Sequence, residues 1–364
     1  MWNGPESPYQ ELPGLPPAVD LATPRILSAL IEPRAALAAL NQACKQLPNP
    51  ALLINLIPLL EAQSSSEIEN IVTTRDELFR AANLEELSQI SPAAREALRY
   101  RAALRAGFES ILDRPLTART AAHVCSEILG REVQVRSGTG TYIGNARTQK
   151  RIYTPPEGKG VLESKLSDWE KFIHQSEELD PLIVMALAHY QFEAIHPFSD
   201  GNGRTGRILN LLALKELSLL DMPVLYLSGY LVRHKNDYYR LLSAVTAEQK
   251  WEEWLVYMFK AVEQTAKWTL QLIEELLELQ ENFEQKIREY DSSLPAADLT
   301  KLAFTQPYLR ASTVMDYCGV SRPTATKRLK SLATAGVLTS EKMGRNTIYL
   351  NQSLLQLVFS TSVD

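Results

Sequence analysis

The stretch that decides the fold is His196-Pro197-Phe198-Ser199-Asp200-Gly201-Asn202-Gly203-Arg204-Thr205-Gly206-Arg207. Pro197 has no backbone N–H and disfavours a helical conformation at His196, so the apolar helix expected over residues 181–195 should end there. A new helical pattern begins at Arg207 and continues to residue 219. The stretch is therefore predicted to be a loop that joins two helices and displays polar side chains between them.

The polar side chains of this loop suit a phosphate group. Glycines on both sides of Asn202 let backbone N–H groups approach a ligand closely, and the helix that follows carries a partial positive charge at its N-terminus. Arg204 and Arg207 are three positions apart, so both guanidinium groups can face one ligand. Asp200 is a natural ligand for Mg²⁺, and His196 is a natural proton acceptor. We therefore expect an anion site with a metal ligand and a base beside it.

Three other kinds of site have similar spacing but do not fit. A P-loop needs Lys and then Ser or Thr after Gly206, where arginine and isoleucine follow. A calcium loop that began at Asp200 would need glutamate at its twelfth position, where leucine stands. The spacing of His189, Glu193 and His196 differs from the His-Glu-x-x-His of a zinc helix. His189 is instead expected to be a partly buried helix residue.

The loop closely resembles the signature of the Fic family, His-x-Phe-x-(Asp/Glu)-Gly-Asn-Gly-Arg-x-x-Arg, and every fixed position of that signature is present. The resemblance implies a mainly α fold, with a Fic-type helical core and a short β-hairpin flap. It also implies an enzyme that transfers AMP from ATP to a Tyr, Ser or Thr hydroxyl of a target protein and releases pyrophosphate. ATP and Mg²⁺ would be its cofactors, and the protein itself could be one of its targets.

The resemblance assigns a role to each residue of the signature. His196 would deprotonate the target hydroxyl, Asp200 would hold Mg²⁺, and Phe198 would anchor the loop in the core. Arg204 would bind the phosphate tail and Arg207 the γ-phosphate. The anion hole would be formed by Gly201, Asn202 and Gly203. The full set expected to bind ATP is Glu69, Gly201, Asn202, Gly203, Arg204, Thr205, Gly206 and Arg207.

A second stretch, residues 59–71, also resembles a segment of the Fic family. Residues 59–71 read locally as a helix with one polar side. Many Fic proteins carry an inhibitory helix with the pattern (Ser/Thr)-x-x-x-Glu-(Gly/Asn), which Ser65, Glu69 and Asn70 match. The resemblance implies that this helix lies near residues 63–71 and that Glu69 pairs with Arg207 in place of the γ-phosphate. Because a carboxylate and a phosphate compete for the same guanidinium, the pair would inhibit the enzyme.

Two features near the signature are candidates for substrate contacts. Residues 133–144 and 151–156 carry strand and turn chemistry and predict a hairpin of two short strands. In the Fic family such a flap docks the target segment as an added edge strand, so Tyr142 and Ile143 would either clamp the target or simply pack. Aromatic residues after the signature line the adenine side of the site in the family. Tyr230 or Tyr238 would therefore stack on the base or pack in the core.

Helical patterns and the resemblance divide the chain into four regions. Residues 1–115 form an N-terminal helical region, 116–265 the Fic core, 266–298 a long helical connector and 299–364 a winged helix-turn-helix. Within the first region, residues 22–47 predict a pair of helices broken at Pro33. Residues 251–290 predict one long helix or two, which would dock on the core or form a dimer contact. We expect a homodimer.

The C-terminal region reads as a winged helix. Gly319 marks a turn, and Ser321 begins a helix with Pro323 near its start and basic residues on its exposed face. Two strands joined by a turn at residues 343–346 complete the wing. Such a helix would read DNA bases, although protein interaction and inert packing are alternatives. The candidates for DNA contacts are Arg322, Thr324, Lys327 and Arg328.

Charge and composition indicate the compartment and the partners. Residues 301–364 carry eight Lys or Arg and three Asp or Glu, a balance of +5, whereas the preceding residues carry −10, so the two parts should have different partners. Cys44, Cys125 and Cys318 are far apart, which favours neither a disulfide framework nor a zinc ribbon. The first residues do not resemble a signal peptide, and the most apolar run, residues 51–60, is too short to cross a bilayer. We expect a cytoplasmic protein without membrane contact.

Two further functions stay open from the sequence. The basic module would suit a DNA-binding regulator in which the Fic core senses a nucleotide or a modified protein. Some Fic proteins remove AMP again, and Glu69 is the carboxylate that could position a water for that reaction.

Overall fold

The fold is mainly α-helical, as the sequence predicts, in a computed structural model that describes residues 2–83, 90–144, 148, 150–343, 346–360 and 363. The helices are α1 (Pro24–Gln46), α2 (Ala51–Ile68), α3 (Arg75–Asn83), α4 (Pro92–Asp113), α5 (Ala118–Leu129), α6 (Lys159–Gln175), α7 (Pro181–Ile195), α8 (Asn202–Glu216), α9 (Leu227–Arg233), α10 (Lys235–Glu248), α11 (Trp251–Tyr290), α12 (Ala296–Thr305), α13 (Ala311–Cys318), α14 (Arg322–Thr334) and α15 (Gln352–Ser360). The strands are β1 (Ile143–Gly144), β2 (Arg151–Tyr153), β3 (Tyr308–Leu309), β4 (Thr339–Met343) and β5 (Asn346–Leu350).

Helix α1 continues through Pro33, so the predicted break at that residue is wrong. A proline inside a helix removes one hydrogen bond and costs about 3 kcal/mol. Leu30, Leu37 and Leu40 are buried where α1 packs, mainly against α11. Burying each leucine is worth roughly 1.5–3 kcal/mol. The packing of this face therefore outweighs the local cost of the proline.

Helix α11 is one continuous helix of 40 residues, whereas its sequence pattern allowed either one long helix or two. The expected border between core and connector, at residues 265–266, falls inside it. Near its start, Trp254 Nε1 donates a 2.9 Å hydrogen bond to the Ala186 carbonyl of α7. Near its end, Phe283 packs edge-on against Phe304 of α12. The helix therefore connects the core to the C-terminal module.

Helices α7 and α8 lie at the centre of the core. Nearly all residues of both helices are buried. Helix α7 packs against α6, α8 and α11, and α8 packs against α4, α5 and α7. The loop between them, residues 196–201, is therefore held at both ends by helices that cannot shift without disturbing the core.

The flap is shorter than the sequence predicts. Strands β1 and β2 pair antiparallel, with Ile143 opposite Tyr153. The prediction of strand structure from residue 133 onward is wrong, because residues 133–142 run as an irregular segment that contacts the core. Of the expected turn, residues 145–147 and 149 lie outside the described residues. The N-terminal segment crosses beside the flap, where Tyr9 N donates to the Thr154 carbonyl at 3.0 Å.

The C-terminal module has the order α12, β3, α13, α14, β4, β5 and α15, and its sheet has the strand order β3-β5-β4. Part of the predicted wing turn, residues 344–345, lies outside the described residues. The module docks on α3, where Arg75 Nη1 donates to the carbonyls of Val358 (2.7 Å) and Phe359 (2.9 Å) and Arg80 pairs with Glu341 at 3.0 Å. No helix in the described part of the chain is long and apolar enough to span a membrane.

Candidate active site

His196 ends helix α7 in the left-handed conformation, with φ of 49°. Few residues other than glycine adopt this conformation. Arg136 holds it in place, because Nε donates to the His196 carbonyl at 2.8 Å and Nη2 donates to the carbonyls of Pro156 (2.7 Å) and Ile195 (3.3 Å). The buried Arg136 side chain therefore fixes the main chain on both sides of the histidine.

The His196 ring is neutral near pH 7. Burial is the largest cause that lowers its pKa, the positive charge of Arg136 acts in the same direction, and the pKa falls to about 4. Nδ1 is buried near the Glu193 carbonyl without a hydrogen bond of normal geometry. Nε2 is left as the nitrogen that can face a substrate. A neutral, half-exposed imidazole is able to accept a proton.

Asn202 closes the loop that follows His196. Its Oδ1 accepts from the Phe198 backbone N–H and its Nδ2 donates to the Phe198 carbonyl, both at 2.8 Å. Phe198 is itself buried in the core, as expected. Gly201 adopts φ of 80° at the start of α8, a conformation that glycine allows without strain. The Asn202 side chain thus shapes the loop, and the backbone N–H groups of the first turn of α8 are left for an anion.

Arg207 is in direct contact with the segment that the resemblance identified as inhibitory. The arginine is only 1% exposed. Its Nε donates to Ser65 Oγ at 2.8 Å, and its Nη2 donates to the Ser65 carbonyl at 2.9 Å and to Glu69 Oε1 at 2.8 Å. Ser65 lies in the last turn of α2, and Glu69 follows its end. The predicted pair of Glu69 and Arg207 is therefore present as a contact.

Glu69 is charged in this arrangement. Burial acts to raise its pKa, but the charge of Arg207 and its hydrogen bond outweigh burial and lower the pKa overall. Gly203 makes the close approach possible, since a Cβ at that position would lie 2.5 Å from Glu69 Oε1. Asn70, in the left-handed conformation, accepts a 3.1 Å hydrogen bond from Lys235 Nζ of α10. The end of α2 is therefore fixed to both α8 and α10.

Glu61 anchors α2 one layer deeper. Its fully buried carboxyl accepts hydrogen bonds from the Ser228 backbone N–H at 2.8 Å, from the Ser228 hydroxyl and from the Tyr100 hydroxyl at 3.2 Å. Burial raises the pKa of Glu61 to about 7 in spite of these donors. The carboxyl thus links α2 to α4 and α9.

Arg204 is paired differently from Arg207. Its Nη1 forms an ion pair with Glu96 of α4, and its Nη2 lies 3.6 Å from Asp200 Oδ1. The arginine is 5% exposed, whereas the Asp200 side chain is 65% exposed. Asp200 Oδ1 also accepts a 2.6 Å hydrogen bond from the Gly201 N–H. The two arginines of the signature are therefore each held by a carboxylate from the N-terminal helices.

Two residues expected to bind ATP face the interior instead. Thr205 is fully buried beside Cys125. Gly206 packs against Phe192 and Glu193 of α7, where no room is left for a Cβ. The Thr205 side chain therefore packs inside the core, and Gly206 allows the close contact of α8 with α7.

A cavity of about 640 Å³ opens beside Glu69. Helix α10 lines it with Tyr239, Leu242 and Thr246, and the flap lines it with Ile143 and Ile152. Its apolar walls lie beside Glu69, the partner of Arg207, and suit a ligand with a flat ring at one end and phosphates at the other.

The tyrosines near the cavity differ in how far their side chains are buried. Tyr238 is buried and its hydroxyl lies 2.8 Å from His189 Nε2. Tyr230 is buried and packs against His234 at 4.2 Å between ring centroids, with the rings tilted. Both therefore pack in the core, whereas Tyr239, on the same helix as Tyr238, is 41% exposed and lines the cavity, as the buried Tyr153 and Tyr190 also do.

The remaining candidates lie at the edge of the site or far from it. Ile143 lines the cavity, whereas Tyr142 is 45% exposed and lies under the guanidinium of Arg151, 4.6 Å from its ring centroid. The four DNA-contact candidates are on α14 in the C-terminal module and do not reach the cavity. Two of them, Arg322 and Lys327, line a separate surface groove of about 590 Å³.

Arg136, Glu96, Glu193 and Tyr239 are residues at the site that were not identified from the sequence. Arg136 lies in a stretch predicted to be a strand and Glu96 in a helix, and only tertiary contacts bring them to the loop. Glu193 did leave a signal, because it is the one carboxylate in the otherwise apolar run of residues 181–195.

Family models cover most of the chain. Residues 27–109 match a model described as Fic/DOC family N-terminal, residues 115–214 match Fic/DOC family, and residues 279–354 match the C-terminal domain of protein adenylyltransferase SoFic-like. Among curated proteins, protein adenylyltransferase Fic of Culex quinquefasciatus is 35% identical over 100 residues, which are 26% of this chain and 18% of that protein. Protein adenylyltransferase fic-1 of Caenorhabditis elegans is 35% identical over 95 residues, or 24% and 17% of the two chains. The chain thus spans less than a fifth of these relatives.

Solved structures show the same fold. A Fic family protein from Desulfovibrio desulfuricans G20 superposes with a TM-score of 0.58 at 18% identity, covering 92% of this chain and 98% of that chain. Fic-1 from C. elegans superposes with a TM-score of 0.54 at 20% identity, covering 70% of this chain and 75% of that one. The signature loop, the fold and the three matching models together assign this chain to the Fic/DOC family.

Proposed function

We propose that this chain is a protein adenylyltransferase, held in an inhibited state by Glu69. The observation that carries the proposal is the contact of Arg207 with Ser65 and Glu69 at the mouth of a cavity that suits a nucleotide. ATP would place its base against the α10 wall and its phosphates over the start of α8. The γ-phosphate needs the guanidinium that Glu69 now occupies, so productive binding requires Glu69 to leave.

The proposed reaction needs one base and several positive charges. The hydroxyl oxygen of the target attacks the α-phosphorus of ATP and forms a new O–P bond. The bond from that phosphorus to the bridging oxygen of the β-phosphate breaks, and pyrophosphate leaves. The hydroxyl proton passes to His196 Nε2. Arg204, Arg207 and the backbone N–H groups of α8 stabilise the charge on the phosphates, which is the main work in phosphoryl transfer.

Asp200 fits the Mg²⁺ that the reaction would use. Mg²⁺ is usually bound by one or two carboxylates together with phosphate oxygens and water. Asp200 would be the protein ligand, and phosphate oxygens and water would complete the coordination. Bound there, Mg²⁺ would supply charge neutralisation to the α- and β-phosphates. The exposure of Asp200 beside Arg204 leaves room for it.

The flap is the proposed docking site for the target. β1 is paired on one side by β2 and has no second partner strand among the described residues, so an extended segment could add to its other side as in other strand-addition complexes. Ile143 would face the nucleotide and Tyr142 the target. Self-modification and a homodimer are part of the same proposal. Mass spectrometry tests for self-modification, and light scattering measures the oligomeric state.

Incorporation of label from α-³²P-ATP with Mg²⁺ tests the proposal. The proteins to compare are the wild type, Glu69→Gly, and Glu69→Gly combined with His196→Ala. Glu67→Gly is the matched control, because Glu67 is an exposed residue of the same helical turn. We expect strong labelling only with Glu69→Gly. If none of the variants is labelled although the nucleotide binds, the proposed activity is wrong.

The same variants also test two alternative functions. Release of AMP from a labelled target by the wild type but not by the Glu69 variant would support the hydrolytic direction. The exposed basic residues of α14 favour DNA binding as the other candidate. Binding of duplex DNA that is lost on Lys327→Glu with Arg328→Glu, without transfer activity in any Glu69 variant, would make the chain a DNA-binding regulator.

A further inference from the structure

Glu193 has a carboxyl group without a partner beside the cavity. The residue lies on α7, three positions before His196, and is half-buried. Its Oε1 is buried and accepts no hydrogen bond, and Glu193 forms no ion pair with any of the described residues. A ligand cannot reach the buried Oε1, but Oε2 also accepts no hydrogen bond from the described residues and is accessible, so it can accept one from a ligand in the cavity.

The surroundings of Glu193 hold its carboxyl at a defined place. Oε1 packs against Gly206 of α8, and the side chain lines the cavity of about 640 Å³. Burial raises the pKa of Glu193 to about 7, with Arg207 acting to lower it and Glu69 to raise it. Those two charged residues are therefore close, yet neither contacts the carboxyl.

The position of Glu193 is intermediate between the two ends of the expected ligand. Tyr239 and Leu242 form an apolar wall on α10, which suits a base, and Arg207 marks the phosphate end. The α-phosphate must lie near His196 for the proton transfer, and the ribose is bonded directly to that phosphate. Glu193 lies one helical turn before His196 and lines the cavity together with Tyr239 and Leu242, so it stands between the wall that suits a base and the residues that suit the phosphates.

We propose that Glu193 accepts hydrogen bonds from the 2′- and 3′-hydroxyl groups of the nucleotide ribose and makes the site selective for ribonucleotides. The inference rests on the proposed function, since it takes a nucleoside triphosphate as the ligand. The accessible oxygen of a carboxylate has two lone pairs and can accept from both hydroxyls of a vicinal diol, and an acidic residue also binds the ribose in the dinucleotide-binding folds. A site built around such donors rejects analogues that lack them, because its acceptor is then left unsatisfied.

Nucleotide binding by calorimetry tests the assignment without depending on transfer. The proteins carry Glu69→Gly, which frees Arg207, and the second change is Glu193→Leu or Glu193→Gln. The probes are ATP, 2′-deoxy-ATP, 3′-deoxy-ATP and inosine triphosphate, which lacks the exocyclic amino group of adenine. Glu178→Gln, the same change at an exposed position outside the cavity, is the control.

With Glu193 present, we expect each deoxy analogue to bind about tenfold or more weakly than ATP. Glu193→Leu should reduce this preference to less than about threefold, Glu193→Gln should give an intermediate value, and Glu178→Gln should leave it unchanged. An unchanged ribose preference in both Glu193 variants would overturn the inference. It would also be overturned if these variants lost only the preference for ATP over inosine triphosphate, because the carboxyl would then bind the base.

Thermal unfolding shows whether a variant has merely failed to fold. Because Oε1 has no partner in the free protein, Glu193→Leu and Glu193→Gln should unfold at the same or a higher temperature than the parent. A large fall in both would mean that the carboxyl has a structural partner and would also overturn the inference. If Glu69→Gly binds none of the triphosphates, the proposed function itself fails, whereas binding with an unaltered ribose preference rejects only the role of Glu193.

Discussion

Arg207 Nη2 lies 2.8 Å from Glu69 Oε1, although 138 positions separate the two residues in the chain. The arginine is buried and the glutamate is 35% exposed, so the pair sits at the boundary between the core and the cavity. Removing one partner of a buried charged pair is costly, but a phosphate can replace the carboxylate without leaving the guanidinium unpaired. The contact is therefore suited to exchange with a ligand.

Ser65→Ala should weaken the proposed inhibition without abolishing it. The change removes the hydrogen bond from Arg207 Nε to Ser65 Oγ and leaves those to the Ser65 carbonyl and to Glu69. A loss of about 1 kcal/mol corresponds to roughly fivefold tighter ATP binding, measured by calorimetry. Ser66→Ala is the control, because the buried Ser66 hydroxyl has no partner. Equal effects of both changes would argue against a specific role of Ser65.

Arg136→Lys should both destabilise the protein and lower transfer activity in the Glu69→Gly background. A lysine cannot reproduce the three hydrogen bonds to the carbonyls of residues 156, 195 and 196. We expect a loss of about 2–3 kcal/mol in the free energy of unfolding and at least a tenfold lower rate, because His196 is no longer held in its left-handed conformation. Arg119→Lys, at an exposed position, should change neither quantity.

The neighbouring Tyr238 and Tyr239 should respond differently to substitution. Tyr238→Phe removes the buried hydrogen bond with His189 Nε2 and should cost about 1 kcal/mol in denaturant unfolding, with little effect on nucleotide affinity. Tyr239→Ala should leave stability nearly unchanged, since the residue is 41% exposed, and should weaken ATP binding severalfold. The reverse pattern would mean that the base does not lie against the α10 wall.

His196 should make the protein less stable as the pH falls. Burial lowers the pKa of the folded state to about 4 from 6.5, so the unfolded chain binds more protons between those values. The stability due to the neutral ring is fully present above pH 6.5 and is lost as the pH falls toward 4. His196→Asn, which tolerates the left-handed conformation, should therefore lose about 2–3 kcal/mol less than the wild type between pH 7 and 4.

Urea unfolding at several pH values measures this difference. Other buried groups with shifted pKa values, such as Glu61 and His189, are present in both proteins and cancel in the comparison. Parallel curves for the wild type and His196→Asn would contradict the buried, neutral state of the ring.

Local chemistry made the loop of residues 196–207 predictable. Pro197 after an apolar run indicated the end of α7 at His196, and the glycines indicated the turn into α8. The mainly helical fold followed from helical periodicity over long segments. Prediction failed where packing overrides a local preference, as at Pro33 inside α1, and where an irregular segment is held by a single side chain, as at Arg136 before the flap.

The sequence by itself determined the loop, the helices on both sides of it and the kind of ligand that its charges suit, because these depend on neighbouring residues and on helix ends. Only the tertiary structure decided which distant carboxylates meet the two arginines, which tyrosines line the cavity, and that Glu193 has no partner there among the described residues. These relationships arise from the packing of α2, α4 and α7 around α8 and of α10 against α9 and α11, and no short stretch of sequence encodes the contacts between separate helices.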